Sequence, residues 1–234
     1  MSEPIPTGCD SIDTLLGGGI ERGVVTQLYG PPASGKTNVA LSSSVRVAAG
    51  GKTALYIDTE GISLDRFEAL SRAAATDGDI EAITSRVIVS DAVDFEEQRE
   101  AVRDAADLAE RVDLIVLDSA TGFYRLERDD DDDGETLRTV ARQITHLLGL
   151  ARRHDLGVVI TNQVYADPES DSGRPRALGG HTLTHWSGTV VRLERFRGGN
   201  RRATLEKHRS QPAGGTARFR ITDDGLETVD ESTV

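Results

Sequence analysis

The chain has 234 residues, enough for one large α/β domain or at most two small ones, and its 39 acidic against 27 basic side chains give a formal net charge of −12. A lone cysteine, Cys9, excludes an intramolecular disulfide and a thiolate zinc site, and no apolar run approaches the ~18 residues a membrane helix needs, so a soluble, cytoplasmic protein with no membrane partner is expected. Such a charge ordinarily argues against a polynucleotide partner, but Lys36, Lys52 and Lys207 are the only lysines while arginine recurs. An acidic, lysine-poor surface suits a salt-loving cell, where screening shortens to about 3 Å at 1 M salt.

In chain order, β-rich runs alternate with helical patterns. VVTQLY (residues 24–29) leads into a glycine-rich turn and a helical stretch, and TALYID (53–58), RVIVS (86–90), DLIVLD (113–118) and GVVITN (157–162) follow. Between them lie amphipathic segments such as FEEQREAVRDAADLAERV (95–112) and ETLRTVARQITHLLGLARRHD (135–155). Strands alternating with helices predict a mainly parallel central sheet covered on both faces. After residue 188 the rhythm becomes strand, turn, strand: TVVRLERF, RRATLEKH, TARFRI and GLETV predict an antiparallel extension of the same sheet, within a single domain over residues 1–234.

The turn after the first strand carries the chemistry. Gly30, Pro31, Pro32, Ala33, Ser34, Gly35, Lys36 and Thr37 fit G-x-x-x-x-G-K-[ST] between a strand and a helix. Glycines let the backbone wrap a phosphate, the amides of residues 33–37 point inward, and the helix N-terminus adds partial positive charge. Lys36 is expected to reach the β- and γ-phosphates of ATP, and Thr37 to supply a hydroxyl to Mg²⁺. A carboxylate for the hydrated magnesium is expected at the carboxyl end of a neighbouring buried strand, where Asp118 ends the apolar run 114–117. YIDTEG offers Asp58 and Glu60 as the water-activating group.

TGCDSIDTLLGGGIERG before the phosphate loop, with YIDTEG, DSATGFYR, TNQV and LGGH after it, resembles the RecA/RadA family of recombinase ATPases along essentially the whole chain. The extra N-terminal helical DNA-binding domain of the full-length archaeal and eukaryotic recombinases has no counterpart, so the chain is most similar to the archaeal core-only paralogues of RadA. The resemblance implies a RecA-like core, Glu60 as the catalytic base, and Gln163 as the group that senses the γ-phosphate and relays nucleotide state to the next loop.

Three departures from the family pattern shape the expected function. RLERDDDDDG stands where the family has a DNA-facing loop, and its aspartates 129–133 repel a phosphate backbone. The second family DNA loop, residues 164–180, offers only Arg174 and Arg176 as basic contacts. LEKHRSQP replaces the family's aspartate-bearing cap, and Lys207 and Arg209, at i and i+2 on a strand, are expected to share one face and to reach the γ-phosphate of a neighbouring subunit, as a K-x-R tip does in the clock ATPase KaiC. Together these imply a weak ATPase that binds single-stranded or branched DNA weakly, performs no strand exchange, forms a homo-oligomer with trans-acting cations, and assists a RadA-type recombinase in homologous recombination and repair. A KaiC-like signalling ATPase and an active strand-exchange recombinase stay open as alternatives.

Overall fold

The computed structural model describes residues 2–75, 78–123, 133–165 and 176–229. The elements in order are α1 (Asp10–Leu15), β1 (Val25–Tyr29), α2 (Lys36–Ala49), β2 (Ala54–Asp58), α3 (Leu64–Ala74), α4 (Ile80–Thr84), β3 (Val87–Asp91), α5 (Phe95–Leu108), β4 (Leu114–Asp118), α6 (Asp133–His154), β5 (Gly157–Asn162), β6 (Val164–Tyr165), β7 (Arg176–Ala177), α7 (Gly180–Trp186), β8 (Thr189–Arg195), β9 (Asn200–Lys207), β10 (Thr216–Thr222) and β11 (Gly225–Thr228). Nine of the strands form one sheet in the order β11-β10-β9-β8-β1-β5-β4-β2-β3, and β6 and β7 form a separate antiparallel ribbon.

The central strands β1, β5, β4 and β2 are buried along their whole length because both faces are covered. In β2, Ala54 and Tyr56 join the core under α2, while Leu55 and Ile57 join the core under α5 and α6; β4 splits in the same way, Leu114 and Val116 against Ile115 and Leu117. The period of two thus sorts one run of apolar residues into two cores. Helix starts carry their own signals: Ser63, Asp79 and Asp94 each accept a hydrogen bond from the amide three residues on, capping α3, α4 and α5.

The mainly parallel sheet with a C-terminal antiparallel extension agrees with the sequence reading, with two corrections. β8 runs parallel to β1, with Thr26 opposite Thr189 and Tyr29 opposite Arg192, so the antiparallel part begins only at β9. The seven-residue α7 before β8 returns the chain to the same end of the sheet, which makes a parallel entry the natural one. Secondly, β9 ends at Lys207, so Arg209 lies beyond the strand and shares no strand face with it. β9 is also the third strand from the margin, inside β10 and β11.

Candidate functional site

The parallel strands β1, β2, β4 and β5 deliver their carboxyl ends to one side of the sheet, and every expected phosphate-side residue gathers there. Gly30 leaves β1 so close to β8 that a Cβ would stand 2.2 Å from the Leu193 carbonyl oxygen. Only glycine fits that approach. The loop then turns through Ala33 and Gly35, both at positive φ, and Gly35 caps α2 with no side chain to occupy the first-turn amides. Lys36 is 9 % exposed and folds back to donate to the carbonyls of Gly30 at 3.0 Å and Pro31 at 3.2 Å. Burial lowers its pKa, opposed by the negative charges of Glu60 and Asp118. A buried cation resting on its own loop's carbonyls is poised for a better anionic partner. Ser34 is fully buried and its hydroxyl has no partner among the described residues.

Asp118, 1 % exposed, ends β4 beside this loop. Its Oδ2 accepts from the Tyr56 hydroxyl at 2.6 Å and its Oδ1 from the Thr161 hydroxyl. Tyr56, Asp118 and Thr161 lie on the α2 side of β2, β4 and β5, which is why side chains from three strands converge. Burial raises the Asp118 pKa, while the hydroxyls of Thr161, Tyr56 and Thr37 draw it back down. A desolvated carboxylate with Thr37 at its side and a lysine nearby suits an oxygen-seeking cation next to a phosphate chain. The residues present therefore fit a magnesium–triphosphate group, which Thr37 and Asp118 would hold on the metal side and the 30–37 loop on the phosphate side.

Asp58 and Glu60 take different parts. Asp58 is buried, and its Oδ1 accepts from the amides of Glu60 at 3.1 Å and Gly61 at 3.0 Å while its Oδ2 accepts from Ile62 at 2.6 Å. With three backbone donors on it, Asp58 builds the turn that presents Glu60. Glu60 itself is exposed, and its Oε1 accepts from Gln163 Nε2 at 3.0 Å; among the described residues its Oε2 takes no hydrogen bond. Glu60 and Gln163 close a cavity of about 330 Å³ whose other walls are Pro32, Ala33, Gly35, Lys36, Thr37 and Asn38. Gln163 sits at the foot of the β6–β7 ribbon: its amide donates to Thr121, and its carbonyl accepts from Leu178.

Lys207 and Arg209 lie apart from this cavity. β9 runs away from the phosphate loop, and Lys207, opposite Val190, donates to the last carbonyls of α7, Thr184 at 2.8 Å and His185 at 3.3 Å. Arg209 pairs with Glu21 of the same chain at 3.0 Å. Arg174 lies outside the described residues, as do aspartates 129–132 and the side chains of Asp133 and Arg176. Among the described residues no helix is long and apolar enough to cross a membrane, and no cluster of three or more His, Cys, Asp or Glu stands ready for a metal.

Tyr56, Thr161 and the amide-binding role of Asp58 escape a reading of the sequence. The one available signal is chemical: a tyrosine or threonine inside an otherwise aliphatic buried strand must find a polar partner on its own face.

A profile of the Rad51 family matches residues 3–229. The chain is 65 % identical over 226 residues to the DNA repair and recombination protein RadB of Halobacterium salinarum, covering 96 % of this chain and 95 % of that one. It is 44 % identical over 228 residues to the protein of the same name from Methanococcoides burtonii, covering 97 % and 98 %. A solved structure described as the RadB recombinase superposes with a TM-score of 0.82 at 36 % identity, over 97 % of this chain and 100 % of the other.

Proposed function

Because the chain belongs to the Rad51 family, a family of P-loop ATPases, we propose that it binds ATP with Mg²⁺ and hydrolyses it slowly, as an accessory to a RadA-type recombinase in DNA repair and homologous recombination. The observation that carries this reading is the Glu60–Gln163 bond across the cavity lined by the phosphate loop. Glu60 Oε2 is free to take a proton from a water molecule as that water's oxygen attacks the γ-phosphorus, whose bond to the β–γ bridging oxygen breaks so that ADP and phosphate leave. Magnesium held by Thr37 and Asp118 would supply charge neutralisation at the phosphate oxygens. Lys36 exchanges its two loop carbonyls for phosphate oxygens when the nucleotide enters, which relieves the cost of its burial.

Gln163 supplies the link to DNA. When Glu60 turns to a water molecule, the Gln163 amide loses its partner, and Gln163 leads directly into the β6–β7 ribbon that frames residues 166–175, including Arg174. Weak binding of single-stranded or branched DNA, without strand exchange, follows from the scarcity of cations in that segment and the aspartates at 129–133. Lys207 and Arg209 remain our candidates for action on a neighbouring subunit's nucleotide, since β9 carries Lys207, and Arg209 just beyond its end, away from their own phosphate loop. The composition, and the similarity to the Halobacterium protein, support a salt-adapted setting.

Glu60→Gln and Lys36→Ala separate binding from chemistry. Lys36→Ala should bind ATP poorly or not at all, whereas Glu60→Gln should bind it with Mg²⁺ and leave it intact in a single-turnover assay, with and without single-stranded DNA. Equal hydrolysis by wild type and Glu60→Gln would remove Glu60 from its role.

A further inference from the structure

The antiparallel pair β8–β9 carries arginines on both faces, and the two faces treat them differently. On one face Arg192 pairs with Glu194 at 2.7 Å and Glu206 at 2.9 Å, and Arg202 pairs with Glu194 at 2.8 Å. On the other, Arg195 stands directly across from Arg201. Neither has an acidic partner among the described residues. Like charges placed opposite each other on a sheet are destabilising, and this chain has acidic side chains in excess from which a partner could have been drawn.

The bare pair is beside the phosphate loop. The strand residues Leu193, Ala203 and Phe219, on the same face, pack into the core under α2, so Arg195 and Arg201 project on the α2 side. The Arg201 side chain reaches the start of α2: a Cβ on Gly35 would lie 3.1 Å from its Cδ and 3.3 Å from its Nε. Its Nη1 donates to the Gly199 carbonyl at 2.7 Å, while its Nε is buried without a partner. Ile221 Cδ1 approaches the same point of Gly35, at 3.3 Å. A guanidinium with unspent donors and an apolar side chain thus meet beside the first amides of α2, the combination suited to the junction of a phosphate chain and a nucleoside.

We propose that Arg201, backed by Arg195, is a nucleotide-binding residue that holds the α-phosphate end of ATP, forming a second cationic wall beside the start of α2. The proposal rests on the reading of the 30–37 loop as an ATP site. It explains why the pair lacks acidic partners: the anion that neutralises it is the ligand. Burial and the facing Arg195 charge both lower the Arg201 pKa, a cost that a bound phosphate removes.

The test is the affinity of a fluorescent ATP analogue with Mg²⁺, in the high salt this protein suits, for wild type, Arg201→Ala, Arg201→Lys, Arg195→Ala and Lys36→Ala. Loss of a charge-assisted hydrogen bond predicts about ten- to hundredfold weaker binding for Arg201→Ala, partial recovery in Arg201→Lys, and a smaller loss in Arg195→Ala. Arg195 is exposed and makes no hydrogen bond through its side chain among the described residues, so Arg195→Ala keeps the test sound if Arg201→Ala lowers the melting temperature of the free protein. Unchanged affinity in both alanine variants, with binding abolished in Lys36→Ala, would overturn the second wall and leave the phosphate loop standing. Unchanged affinity in Lys36→Ala would overturn the loop reading and this inference with it.

Discussion

Tyr56→Phe removes a single oxygen and tests the packing of the metal-side carboxylate. Tyr56 is fully buried, and its hydroxyl donates to Asp118 Oδ2 at 2.6 Å. A hydrogen bond to a charged group is worth about 1.5–3 kcal/mol, and its loss takes one donor from a desolvated carboxylate. In a protein of this size each kcal/mol moves the melting temperature by about 2–4 °C, so the variant should melt roughly 3 to 12 °C lower by calorimetry. Losing the donor also raises the Asp118 pKa further, so more Mg²⁺ should be needed for half-maximal ATP hydrolysis. Replacement of the side chain by phenylalanine leaves the aliphatic packing of β2 intact, which keeps the comparison local. A melting temperature within about 1 °C of wild type and an unaltered Mg²⁺ requirement would refute the view that Tyr56 supports Asp118.

Asp58→Ala should strip three amides of their acceptor, lower the melting temperature and slow hydrolysis by misplacing Glu60, with ATP affinity retained; hydrolysis at the wild-type rate would show that Glu60 needs no such turn. Because Asp118 titrates above its ordinary 3.8, the unfolded chain gives up this proton first as pH rises, so the free protein loses stability between 3.8 and the raised value. The thermal shift produced by Mg²⁺ and ATP should accordingly grow from acid to neutral pH, and a shift independent of pH would contradict that assignment. Mixing Arg209→Ala with Glu60→Gln protein should restore hydrolysis at interfaces that pair an intact Glu60 with an intact Arg209 from a second copy. A co-assembled mixture no more active than its components would confine Arg209 to its ion pair with Glu21.

Local patterns along the chain were enough to read the alternation of strands and helices, the 30–37 loop and Asp118 at the end of its strand. These are local properties: a period of two, a glycine pattern between a strand and a helix, and an acid at the end of an apolar run are each complete within about a dozen residues of chain. Residue type showed Asp58 and Glu60 only as a pair of acids, and the family resemblance alone singled out Glu60 as the base. The division of their roles follows from three amides folding back onto Asp58, a turn geometry that residue type alone does not specify. The sequence likewise suggested that Lys207 and Arg209 share a strand face, where the end of β9 at Lys207 separates them.

Which distant side chains meet depends on the packing of the strands. Tyr56, Asp118 and Thr161 are separated by about a hundred residues from first to last and converge because β2, β4 and β5 are neighbours in parallel register. Arg201 comes to Gly35 because β8 enters parallel to β1 and returns as β9, placing the hairpin's turn end level with the phosphate loop. Strand adjacency is set by how two hydrophobic faces are covered by helices, a global property of the chain, and that is why no local pattern around residue 201 announces its place beside the 30–37 loop.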